Sequence, residues 1–141
     1  MKLESVYKHE LAVSYLYHLL TERDPSINIS HKKMPSFREH ERFFNSKPYR
    51  FWYLIEVDGS AVGACYLTKK NEVGIAVSSQ HRGKGYGLEA VNLLTQRHKP
   101  LKAIPSKRSG QFIANINPAN ERSIRLFRKL GFVHIQNTYR L

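Results

Sequence analysis

Apolar residues recur at helical spacing in residues 9–22 (HELAVSYLYHLLTE), where Leu11, Tyr15 and Leu19 align with Leu16 and Leu20. This spacing predicts an amphipathic first helix after a short extended start. The stretch DPSINISHKKMP interrupts the pattern. Ser36 followed by Glu39 is a capping-box signal for a second helix ending near Ser46, and Pro48 stops it. The period then changes from helix to strand. Residues 50–57 (RFWYLIEV) are rich in aromatic and β-branched types, and Asp58-Gly59 is a strong hairpin signal leading into a second strand, AVGACYLT. Lys69-Lys70-Asn71 marks another turn before EVGIAVS, which reads as the third member of an antiparallel meander. Alternation in that strand puts Val73, Ile75 and Val77 on one face and Glu72, Gly74 and Ala76 on the other, so one face is bulky and the other nearly bare.

Leu88, Val91 and Leu94 predict a helix over residues 86–97, and FIANI, residues 112–116, predicts a short strand. A last helix is expected between Asn117-Pro118, read as N-cap and first turn, and Gly131, read as its C-terminal cap. Ile124, Phe127 and Leu130 line one side of it, and Arg122, Arg125, Arg128 and Lys129 fill the rest. FVHIQ and TYRL close the chain as one or two further strands. The element order predicts an α/β fold with a mixed sheet.

At 141 residues the chain fits one domain, residues 1–141. The hydrophobic fraction of 41% is enough for a packed core and argues against disorder. No apolar run is long enough to cross a bilayer and MKLESVYKHE carries no signal-peptide core, so the expected location is the cytoplasm with no membrane partner. Cys65 is the one cysteine, which excludes an internal disulfide and a multi-cysteine zinc site; no metal is expected. Lysine and arginine (23) outnumber aspartate and glutamate (11), a net charge of +12 that attracts polyanions without saying which. The basic stretch at residues 98–110 contains Pro100, Pro105 and Gly110 and reads as a solvated connection.

The segment SSQHRGKGYGLEA, residues 78–90, lies where the third meander strand gives way to a helix. Helix geometry leaves the first backbone N–H groups there unpaired, and the helix dipole favours an anion. Gly83, Gly85 and Gly87 admit a phosphate close to the backbone, and Arg82 and Lys84 add full charges. The physical reading is a pyrophosphate cradle, with a flexible turn as its plainer alternative. A Walker A loop is excluded because Gly83-Lys84 is followed by Gly85 rather than Ser or Thr. A dinucleotide fingerprint is excluded because residue 88 is leucine where the third glycine would fall.

Gln80-His81-Arg82-Gly83-Lys84-Gly85, following VGIAVS, resembles the Q/R-x-x-G-x-G/A motif of the GNAT N-acetyltransferase superfamily. NPANERSIRLFRKLGF resembles that superfamily's second motif, about 35 residues later. The resemblance implies a mostly antiparallel central sheet flanked by helices, with a strand pair splayed at the cofactor slot. It implies acetyl-CoA as co-substrate, its pyrophosphate on the backbone of Arg82, Gly83, Lys84, Gly85, Tyr86 and Gly87 after Gln80, and its pantetheine beside Ile75, Ala76 and Val77. By the same analogy Asn115 or Asn120, with Ser123, approach the pantetheine or adenosine arm; capping and turn formation are their alternative roles.

Acetyl transfer needs a neutral amine, a polarised thioester carbonyl and a protonated leaving thiolate. Family members often place a glutamate on this strand, which makes Glu72 the expected base; pairing with Lys69 or Lys70 is the alternative. The position where the family often carries an acidic tyrosine holds Phe127, which has no proton to give and is expected to pack against pantetheine or the core. Tyr139, Tyr86 and His134 are the candidate donors in its place. The acceptor side is expected within residues 24–53, where His31, His40, Trp52 and Tyr53 offer an aromatic floor that also reads as core. The expected acceptor is a primary amine of a small molecule, an amino sugar or polyamine, or a peptide N-terminus. Two other readings stay open: a catalytically degenerate CoA-binding regulatory domain, and a basic nucleic-acid-binding protein, which no RNP or zinc-finger signature supports. The segment after Gly131 offers an edge strand that a second copy could complete in a homodimer.

Overall fold

Strong local signals set the first elements in place. The computed structural model describes residues 1–29 and 33–141. Helix α1 spans Ala12–Thr21, and α2 spans Phe37–Asn45 behind a complete capping box. In that box the Glu39 N–H donates to Ser36 Oγ at 3.1 Å and the Ser36 N–H to Glu39 Oε1 at 3.3 Å. Four strands, β1 (Lys2–Ser5), β2 (Phe51–Val57), β3 (Ser60–Leu67) and β4 (Val73–Val77), form one antiparallel sheet in chain order. Asp58 and Gly59 both take positive φ at the β2–β3 turn, as the Asp-Gly pair requires. Helix α3 spans Tyr86–Arg97 and α4 spans Glu121–Lys129.

The sheet is covered on both faces. Tyr53, Ile55, Cys65, Leu67 and Val73 face α3 and α4, packing on Val91, Leu94 and Phe127, whereas Trp52, Leu54 and Ala64 face α1 and α2. Burial on both faces explains why β2 reads as a continuous apolar run. Cys65 is buried, and burial pushes its thiol up to about 12. Among the described residues no helix is long and apolar enough to cross a membrane, and no group of three or more His, Cys, Asp or Glu side chains could hold a metal ion.

Three expectations are corrected. Residues 112–116 form no strand; a single parallel bridge, Glu72 to Ile113, is their whole share in the sheet. Residues 132–136 and 138–141 form none either, and Val133, Ile135 and Tyr139 are exposed. Strand-forming residues need an edge to pair with, and among the described residues no strand lies beyond β4 in the sheet to receive them. The last helix is capped by Asn120, whose Oδ1 accepts from the Ser123 N–H at 3.2 Å, and not by Asn117. Asn117 Oδ1 instead accepts from the Ala119 N–H at 2.9 Å and its Nδ2 donates to the Ser26 carbonyl at 3.2 Å, tying this turn to the α1–α2 connection.

The basic stretch at 98–110 is also more than a solvated connection. Fully buried Asn71 donates from Nδ2 to the Leu101 and Ser109 carbonyls at 3.0 and 2.7 Å and accepts from the Leu101 N–H at 2.7 Å. One turn residue latches that loop beside β4.

His40, expected on the acceptor side, is buried between α1 and α2, with Nε2 3.1 Å from the Val13 carbonyl. Desolvation holds its imidazole below its ordinary value, against an opposing pull from that carbonyl. A depressed pKa means that the folded state favours the neutral ring, so this contribution is present above the unfolded value near 6.5 and is lost as pH falls through the folded value. His98 is lowered as well, by desolvation and then by Arg50 and Arg97. The urea midpoint should therefore fall between pH 7.5 and pH 5. His40→Gln, which keeps a donor for Val13, should flatten that fall; an unchanged slope would remove His40 as its source.

Candidate active site

The end of β4 is fastened on one side and open on the other. The Ser78 N–H donates to the Val62 carbonyl at 2.9 Å, and buried Ser78 Oγ lies 2.6 Å from His81 Nδ1. Arg82 Nε donates to the Val77 carbonyl at 3.2 Å, folding the turn back onto the strand. Gly83 and Gly85 take φ of +77° and +80°, and a Cβ at either would meet no atom within 4 Å. Gly85 is the N-cap of α3 and gives no side-chain cap, so the first-turn amides stay available. This open, amide-lined and cationic concavity has the chemistry of a phosphate seat. Gly87 has a further role: a Cβ there would stand 2.7 Å from Leu126 Cδ1, so glycine allows α3 and α4 to approach closely.

Desolvation pulls the Arg82 guanidinium below its usual value and neighbouring Arg122 lowers it further. Two cations converge here from β4's turn and from α4. Sequence alone groups Arg122 with the other basic residues of α4; its place in the first turn after Asn120 is the signal that sets it apart.

Along β4 the chain pairs and then parts. The Val73 N–H donates to the Ile113 carbonyl at 2.8 Å and the Ile113 N–H to the Asn71 carbonyl at 3.0 Å. Beyond this point no backbone hydrogen bond joins residues 74–77 to residues 114–116 among the described residues. The two segments part beyond the Glu72–Ile113 bridge, but residues 112–116 form no strand, so the expected splayed strand pair is reduced to β4 and an irregular segment bridged to it once. Ile75, Ala76 and Val77 border the gap on one side and exposed Asn115 lies on the other.

Glu72 is half-buried at the start of the gap, its N–H held by Thr68 Oγ1 at 3.0 Å. No ion pair engages it among the described residues, so the alternative of pairing with Lys69 or Lys70 is not realised. Opposite Gly74 in the register stands Tyr66, whose ring lies across that glycine so closely that a Cβ there would overlap its Cζ. Tyr66 stacks on Tyr49, with centroids 4.0 Å apart and planes at 5°. Burial raises both phenols above their ordinary value, and Arg23 and Glu72 both act on them. The stacked aromatic pair beside Gly74 is thus Tyr49 and Tyr66, which also packs against the core under α1 and α2. Trp52 and Tyr53, the sequence candidates, are buried in the two cores, and His31 lies outside the described residues. The pairing of Tyr66 with a glycine across the hairpin is the sequence signal for this placement of the ring.

The donor candidates are scattered. Phe127 is buried, edge-on to Phe132 with centroids 5.0 Å apart. Tyr86 is half-buried at the start of α3, His134 Nε2 lies 2.7 Å from the Gln136 carbonyl, and Tyr139 stands 87% exposed in the tail. The structure brings together Glu72, residues 75–77 and the turn at 82–87 along one strand and its exit; it does not bring Tyr139 to them.

The model of the acetyltransferase (GNAT) domain matches residues 12–133. A domain from Methanocaldococcus jannaschii DSM 2661 superposes with a TM-score of 0.74 at 22% identity, over 97% of this chain and 90% of that one. A spermidine N-acetyltransferase SpeG chimera from Vibrio cholerae and hSSAT gives 0.69 at 18%, over 96% and 84%. The structure of yncA from Salmonella typhimurium, which includes its cofactor acetyl-CoA, gives 0.61 at 18%, over 93% and 77%. No curated protein matches the sequence.

Proposed function

Because the chain belongs to the GNAT acetyltransferase family, we propose that it transfers the acetyl group of acetyl-CoA to a primary amine by direct attack. The single observation that supports this best is the parting of β4 from residues 114–116, which leaves backbone groups facing a gap that runs into the glycine-rich start of α3. The residues fit the co-substrate: the turn at 82–87, with Arg82 and Arg122, would take the phosphates, and residues 75–77 would run beside the pantetheine.

Bound there, acetyl-CoA supplies an activated acyl group. Glu72 would accept the ammonium proton, directly or through water, and pass it to solvent. A backbone N–H near Val77 would hold the acyl oxygen while the C–N bond forms and the C–S bond breaks. Phe127 has no proton for the departing sulfur and Tyr139 stands exposed in the tail, so solvent would supply it. The same two facts favour the second reading, a CoA-binding regulatory domain. Calorimetry with CoA and thiol release across an amine panel separate the two: binding with no thiol released from any amine would select the regulatory domain.

Glu72→Gln should lower kcat/KM about 10²-fold or more, most at low pH where free amine is scarce, and leave acetyl-CoA affinity nearly intact. An unchanged pH–rate profile would remove Glu72 from the mechanism.

A further inference from the structure

Arg50 and Lys69 leave the sheet at the same end. Phe51 pairs with Leu67 in the β2–β3 register, so the residue before the one and the residues after the other lie beyond that pair. Helix α3 returns to this end with Arg97 and then His98, whose ring stacks on Phe51 with centroids 3.7 Å apart and whose Nε2 lies 2.8 Å from Tyr53 Oη. Arg50 Nη1 donates to the Lys99 carbonyl at 2.9 Å, and the Asn71 latch holds Leu101 and Ser109 against the β3–β4 turn. Arg108 closes the loop, donating from Nε to the Lys102 carbonyl at 2.7 Å and from Nη1 to the Lys69 carbonyl at 3.2 Å. Residue 50 and segments 68–72 and 97–110 thus form one continuous surface at the start of β4, the opposite end of that strand from the turn at 82–87.

The charge of this surface is of one sign. These residues include eight lysines and arginines against one carboxylate, Glu72, a balance of +7 out of the chain's +12. Among the described residues no ion pair engages any of the eight. Arg97 Nη1 donates to the Leu3 carbonyl at 3.1 Å; neighbouring Glu4 is paired with Lys2 at 2.9 Å, so that pair adds no net charge. Cations gathered this way repel one another and attract a polyanion. The phosphates of the co-substrate do not answer to them, because their proposed seat is at the far end of β4.

Two features select the polyanion. Along residues 68–72 and 97–110 Ile104 is the one large apolar side chain exposed among the described residues. A protein interface needs an apolar centre and a membrane surface needs apolar side chains to insert, whereas nucleic-acid interfaces are polar and strongly cationic. The second feature is shape: α3 meets this surface only by its C-terminus, and the β3–β4 turn is held down by the Asn71 latch, so neither is free to enter a duplex groove. A flexible strand can follow such an irregular surface. We propose that this end of the molecule binds single-stranded RNA through its phosphates, on a surface separate from the acetyl-transfer site.

Fluorescence anisotropy of the full chain with a labelled oligouridylate of about 20 nucleotides tests this. The logarithm of the association constant should fall against the logarithm of salt concentration with a slope of about −3 or steeper, as for about four or more phosphates on a single strand. Lys99→Gln, Lys102→Gln and Lys107→Gln combined, all at exposed positions, should weaken binding about tenfold or more at low salt and bring the slope about 2 closer to zero. Arg38→Gln, Arg42→Gln and Arg128→Gln combined remove the same charge from exposed positions of α2 and α4 and should weaken it less than about threefold. Excess CoA should leave the RNA affinity within about twofold. A wild-type slope flatter than about −1, equal weakening by the two triple variants, or displacement of the RNA by CoA would overturn the surface. Tighter binding of polyglutamate or of phosphatidylserine vesicles would overturn RNA as the partner, and tighter binding of duplex DNA of the same length would overturn the single strand.

Discussion

Gly63→Ala is expected to lower stability by about 2–3 kcal/mol and to raise KM for acetyl-CoA, although the residue lies in β3 and borders no part of the slot. A methyl group at Gly63 would overlap the Ala76 carbonyl oxygen and approach Val77 Cα at 3.0 Å. Both atoms are β4 backbone, so no rotamer change relieves the contact. The strand itself must move, and the open side to which it can move is the gap facing residues 114–116. Close β3–β4 contact at Gly63 thus sets the width of the proposed cofactor slot from behind. Gly87→Ala is the control for stability alone, since Gly87 belongs to the proposed phosphate turn: its close contact is with Leu126 Cδ1, the end of a side chain that can rotate. Urea midpoints on the two variants and acetyl-CoA kinetics on Gly63→Ala give the comparison. A Gly63→Ala protein within 0.5 kcal/mol of wild type, with KM unchanged, would show that β4 is not held in this way.

This dependence on close approach also marks where the sequence stops being informative. The capping box at Ser36 and Glu39, the Asp58-Gly59 hairpin and the period of α3 are local, involving residues a few positions apart, and the structure follows each of them. The turn conformation at Gly83 and Gly85 could be read for the same reason, since positive φ is a property of the residue itself. The misread elements depend on distant partners. Residues 112–116 have strand-forming side chains, yet β4 pairs with them only at Ile113. Asn117-Pro118 looks like a helix start, but Asn117 is drawn to the Ser26 carbonyl, 91 residues away, and Asn120 takes the cap. The Tyr49–Tyr66 stack joins the end of the α2–β2 connection to β3, and the charge of Arg122 reaches Arg82 only because α4 packs on α3. Local structure carried by one short segment was legible; arrangements assembled across the sheet were not.

The Gly85→Val variant should raise KM for acetyl-CoA tenfold or more while the protein stays folded, and the reason lies in what surrounds the residue. A Cβ at Gly85 would meet nothing within 4 Å, so packing does not oppose the start of a side chain there. The remaining structural cost is the φ of +80°, about 1–2 kcal/mol for an ordinary L-residue and more for a β-branched one. That strain could by itself misplace the first-turn amides of α3, so valine alone does not separate strain from obstruction. Asparagine does, because it tolerates the left-handed region yet still projects a side chain into the concavity. If the concavity seats the pyrophosphate, Gly85→Asn should recover stability relative to Gly85→Val but keep most of the KM defect. If strain were the whole effect, asparagine would restore both together. Free CoA affinity by calorimetry, measured beside the urea midpoint, reads the two quantities independently of the acceptor. A normal affinity in both variants would remove the phosphate from this turn and leave its glycines as the means by which β4 turns sharply into α3.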